Sequence, residues 1–228
     1  MLNSLIFIST FLAMTSSLGL GFFSLFRNYR SRTVILWFLT TMAVAIWTGG
    51  YLLVVLSKTD ILAFIFLKLV YIGAVLIPIL SFNFIASFLY EETHYKILIK
   101  IGYIVALVFL ILITFTKIVI SGVQYMENFH RYEEVETIGF KIFLVYFLFY
   151  AVAGVYLLIK GYQSSGGFLR RQIFYLILAS VVGFAGGISN FITDLTGIYP
   201  YGQLVVWLYP VFITYGIFMD EIQIKIKY

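Results

Sequence analysis

Residues 61–90 read ILAFIFLKLVYIGAVLIPILSFNFIASFLY, thirty residues with one charged side chain, Lys68. A helix of that length rises about 45 Å, more than the roughly 30 Å of bilayer hydrocarbon. Polar residues bound it, Thr59-Asp60 before and Glu91-Glu92-Thr93-His94 after. In lipid only a helix or a closed barrel satisfies its own backbone, and an unbroken apolar run of this length selects the helix. Working outward, six further runs qualify, at 5–26, 33–56, 97–119, 139–159, 172–193 and 203–219. The sequence therefore predicts an all-α membrane protein, a bundle of seven transmembrane helices forming one domain over 1–228, with no soluble domain.

Composition agrees. Hydrophobic residues make up 62% and charged residues 11% of the 228, where a soluble domain averages about half and a quarter. Mean hydropathy is +1.04. Such a chain cannot coat a water-soluble enzyme and is too apolar for disorder. The absence of cysteine removes disulfides, thiol catalysis and Cys-ligated zinc. The net charge of +5 reads as loops facing anionic lipid, not as a nucleic-acid surface.

Orientation follows from Lys and Arg. With the N-terminus outside, the inner loops and tail hold ten: Arg27, Arg30, Arg32, Lys96, Lys100, Lys160, Arg170, Arg171, Lys225 and Lys227. The outer loops hold four: Lys58, Lys117, Arg131 and Lys141. This places the C-terminus in the cytoplasm and the acidic loop at 120–138 outside. The first span lacks a basic leader and is longer than a signal-peptide core, so it is expected to be a retained helix.

Chemistry is sparse. The last span has no lysine to carry a retinal Schiff base, and His94 and His130 both fall in loops. No metal set, cofactor motif or nucleotide-binding loop is found. Lys68 alone is charged well inside a span. Either it snorkels outward or it pairs with Asp194 at the outer end of span 6, for which Lys58 is an alternative partner. In span 6, Ser180, Gly183, Gly187, Asn190 and Asp194 form one small, polar stripe at steps of three and four. Gly183, Gly186 and Gly187 are expected to be a helix-packing notch, and Gly49 and Gly50 a second. Pro78 and Pro210 are expected to kink spans 3 and 7. Candidate ligand contacts are Lys68, Tyr71, Asn190, Asp194 and Trp207.

The pieces also fall in a recognisable order: Lys68-Leu69-Val70-Tyr71-Ile72-Gly73 with Pro78 and Phe82, then Leu169-Arg170-Arg171-Gln172-Ile173, Gly183 and Gly186-Gly187, Gly197-Ile198-Tyr199-Pro200-Tyr201-Gly202, and Tyr215-Gly216-Ile217. This order resembles the seven-transmembrane N-terminal sensor region of prokaryotic histidine kinases. The resemblance implies a sensor in a prokaryotic plasma membrane, part of a two-component system. It also implies a cytoplasmic kinase partner or fused output domain, and a homodimer. The sequence holds no phospho-accepting histidine region and no ATP-binding domain, so the chain is expected not to be an enzyme. The alternative expectation is a small-molecule transporter or permease.

Overall fold

A computed structural model describes residues 2–126, 131–135, 137–196 and 201–226, with side chains for 5–126, 132–135, 137–189 and 201–219. The helices are α1 (Leu2–Arg27), α2 (Arg32–Leu56), α3 (Asp60–Phe88), α4 (Lys96–Phe115), α5 (Ile138–Ser164) and α6 (Gly167–Thr196). The last span is composite, a 3₁₀ segment (Tyr201–Leu208) leading into α7 (Tyr209–Ile226). Among the described residues, seven helices are long and apolar enough to cross a membrane.

Each start has a local cause. Ser31, Thr59 and Thr137 accept from the amides of Val34, Leu62 and Phe140, capping α2, α3 and α5. α3 ends at Phe88 because Tyr90 takes a left-handed backbone (φ 60°). The Glu91 amide then bonds Ala86 O at 2.8 Å and the Tyr90 amide bonds Ser87 O at 3.2 Å, the paired closure of a Schellman motif. α5 runs five residues past the expected 159, and α6 begins five before 172. Only Ser165-Gly166 separates them, and Gly167 turns the chain at φ +55°.

Six helices pack side by side in the order α1, α2, α3, α5, α6 and the last span, which returns to α1. α4 stands outside this ring. It packs on α3, and Phe109 meets Phe143 and Tyr146 of α5. Its outer face exposes Ile97, Ile101, Ile104, Leu107, Val108, Ile111 and Phe115. In water these residues would be a severe liability, but in a bilayer they face a solvent as apolar as themselves.

The tightest helix contact is α2 on α3. A Cβ at Gly73 would fall 2.5 Å from the Trp47 amide nitrogen and 2.7 Å from Ala43 O, and one at Gly50 would fall 2.8 Å from the Val70 nitrogen. Gly49 faces Met14 Sδ instead. On the other side of the ring, Gly183 lies under the Tyr209 ring, Gly186 against Val206, and Gly187 near Phe147.

Three features differ from the sequence expectations. The 120–138 loop carries an antiparallel hairpin, β1 (Val123–Met126) and β2 (Arg131–Glu134), with Val123 opposite Glu134 and Tyr125 opposite Tyr132. α4 ends four residues early, at Phe115. Pro210 kinks no continuous helix. It is the second residue of α7, where its missing N–H breaks no helical bond, and the chain changes helix type beside it. Pro78, by contrast, lies inside an unbroken α3.

Candidate functional site

The hairpin folds down over the ends of α2 and α3. Thr137 fixes its base by donating to the carbonyls of Ile118 (2.7 Å) or Val119 (2.8 Å), and the Val135 amide reaches Gly122 O at 3.0 Å. Tyr125 and Tyr132 meet edge to face across the strands at 5.2 Å.

β2 brings carboxyl groups inward. Glu133 and Glu134 are each 7% exposed, although their sequence context reads as a solvated acidic loop. The Tyr71 hydroxyl, from the middle of the ring, donates to Glu134 Oε1. A buried carboxyl without a donor would cost several kcal/mol, so this bond is what allows the hairpin to dock. Phe140 and Phe143 hold the Tyr71 ring edge-on at 6.1 and 5.6 Å. Nearer water, the negative charge of Asp60 beside the Tyr132 hydroxyl pushes that phenol above its usual range, with a smaller contribution from desolvation.

Lys68 lies one turn from Tyr71. Its Nζ donates to Thr114 O at 3.0 Å and sits over the Phe64 ring at 5.1 Å. Thr114 is in the last turn of α4, where carbonyls lack helical partners and the dipole favours a cation. Lys68 therefore caps a neighbouring helix. The proposed partner Asp194, like Asn190, has its side chain outside the described residues.

Trp207 belongs to a different grouping, on the last span. Its carbonyl accepts from Ser16 Oγ at 3.3 Å, Gln203 O accepts from Ser9 Oγ at 2.7 Å, and Gln203 Nε2 donates to Thr10 Oγ1 at 3.2 Å. Three hydroxyls of α1 thus stitch the 3₁₀ segment to the ring. Gln203 and Val206 of that segment and Tyr209, the first residue of α7, are buried, a step of three that matches a 3₁₀ face. From Tyr209 to the buried Ile213 the step becomes four, the α period. Of the expected ligand residues, the structure sets Lys68 and Tyr71 together beneath the hairpin and Trp207 apart from them. Glu134, Gln203 and Ser9 were not singled out by the sequence. The signal available was weak, a glutamate in an acidic loop and a glutamine and a hydroxyl in otherwise apolar runs.

The described pattern of seven helices, with the hairpin over α3 and a composite last span, extends over nearly the whole chain. The family described as the N-terminal 7TM region of histidine kinase matches residues 9–222. The chain belongs to that family. No curated protein matches it. As a histidine-kinase 7TM region it is a multi-pass cell-membrane protein and a membrane sensor module. Its exposed apolar helix faces contact lipid.

Proposed function

We propose that this 7TM region is non-catalytic and carries an external stimulus from the hairpin face to a cytoplasmic signalling kinase, on a separate chain or fused to this one. The ten-to-four distribution of Lys and Arg supports a hairpin outside and an α7 end inside. One observation carries the direction of transfer. The last span is anchored to α1 through Ser9, Thr10 and Ser16 at the hairpin end, and then changes from 3₁₀ to α at Tyr209 on its way to the other face. The change of helix type falls inside the membrane span, at Tyr209, and a change between 3₁₀ and α winding within one span is a place where a helix can bend. A stimulus acts only through a difference in affinity between two arrangements, and the hinge supplies a second arrangement for the span that leads to the partner.

The test uses the natural absence of cysteine. Lys58→Cys and Gln163→Cys are labelled in intact cells with a membrane-impermeant maleimide. Labelling of Lys58→Cys alone supports the orientation, and labelling of Gln163→Cys alone reverses it. A photo-crosslinking residue at Asp220 in native membranes should then recover a histidine kinase. Recovery of lipid adducts only would overturn the relay, and substrate uptake by proteoliposomes of the same chain would replace it with a transporter.

A further inference from the structure

α3 and α6 make almost no direct contact across the ring. The gap between them is a cavity in which the centre of a water molecule can range over about 40 Å³, room for roughly three waters or one six-membered ring. Its walls are nearly all apolar, with Trp47, Phe84, Phe147 and Ile213 among them. The glycine stripe of α6 shapes one side, since Gly183 and Gly187 both line it. Among the described residues, no charged one does.

Small residues and apolar walls alone would be ordinary packing. The further observation is Tyr209, which lines the same cavity. It is 7% exposed, and its hydroxyl has no hydrogen-bond partner among the described residues. The Ser180 hydroxyl of α6, which also lines the cavity, is already spent on its own Leu176 carbonyl at 2.8 Å. A buried hydroxyl left unpaired costs about 1–3 kcal/mol, and a phenol has a strong donor to offer. The position of this hydroxyl at the 3₁₀-to-α junction means that whatever satisfies it also touches the hinge.

The geometry points to a ligand site at the centre of the ring, for a small, uncharged, largely apolar molecule that bears one hydrogen-bond acceptor for Tyr209. Charge is excluded by the apolar walls, and a large molecule by the small volume. Access from the lipid phase suits such a molecule, because it partitions into the bilayer. The inference concerns binding and does not rest on the signalling reading.

The test is ¹⁹F NMR of the full chain in lipid nanodiscs with two rings of the same shape, 3-fluoropyridine, whose ring nitrogen accepts a hydrogen bond, and fluorobenzene, which has none. The wild type should show a saturable bound resonance for 3-fluoropyridine. Tyr209→Phe keeps the shape and removes the donor. It should weaken 3-fluoropyridine about three- to tenfold and leave fluorobenzene unchanged. Gly187→Leu should fill the cavity and abolish both signals. Absence of any saturable resonance in the wild type would mean that water alone occupies the space and would overturn the proposal. Equal binding of 3-fluoropyridine by Tyr209→Phe would overturn it too, as would undiminished binding by a folded Gly187→Leu. If Gly187→Leu does not fold, the Tyr209→Phe comparison decides.

Discussion

Pro78 lies in the interior of α3, and Pro210 is the second residue of α7. At Pro78 the missing N–H frees the Ala74 carbonyl, yet the helix continues. Close packing holds it, with Ala74, Val75 and Ile79 each no more than 2% exposed. The Tyr146 hydroxyl of α5 also reaches the adjacent Val75 carbonyl at 3.0 Å. α3 is therefore fixed along its length, by Tyr71 to the hairpin, by Gly73 to α2, and by Asn83 Nδ2 to the Tyr103 hydroxyl at 2.9 Å. The last span is tied chiefly toward its ends and by apolar packing between them. α1 hydroxyls hold its start, the α6 glycines pack on Val206 and Tyr209, and Gln172 Nε2 reaches Gly216 O at 2.8 Å farther along. The Tyr209 hydroxyl at its middle has no partner among the described residues. The same residue type thus marks a strut in one span and a joint in the other, and what separates them is the neighbouring helix, not the proline.

The comparison can be broken most severely at Gly73. Gly73→Ala should push α3 off the α2 backbone and cost about 3 kcal/mol, read as a fall in the thermal unfolding midpoint in detergent. An unchanged midpoint would show that the strut has slack. Tyr71→Phe should leave the Glu134 carboxyl without its donor and cost about 2 kcal/mol. Hydrogen exchange should then quicken across 123–134 and stay unchanged in α6, and uniform exchange would count against a docked hairpin. Tyr90→Gly sharpens the contrast from the other direction. It relieves the left-handed strain at the end of α3 and should raise stability by about 1 kcal/mol. Pro210→Ala should change stability by less than about 1 kcal/mol, because the first turn of α7 loses no bond to its proline. A larger loss would mean that Pro210 itself fixes the joint.

The helices were legible because length and hydropathy suffice for them, and 61–90 alone decided the class. The hairpin was not. Its strands are four residues long, and burial of Glu134 depends on Tyr71, sixty-three positions away. The 3₁₀ segment was hidden for a different reason. Residues 204–208 are apolar at every position, so no period shows until burial of Gln203, Val206 and Tyr209 reveals it. Lys68 was legible as a residue needing a partner. The partner described is a backbone carbonyl, which a census of charged side chains does not count.

A 3₁₀ helix rises about 2.0 Å per residue and an α-helix about 1.5 Å. The eight residues from Tyr201 to Leu208 therefore span about 4 Å more than they would as α-helix. They are also wound tighter, by about 20° per residue. Recoiling the segment would draw α7 toward the hairpin face by about 4 Å and turn it by roughly 160°. In mechanical terms such a span would work as a screw whose pitch changes along its length, with Tyr209 where the two threads meet.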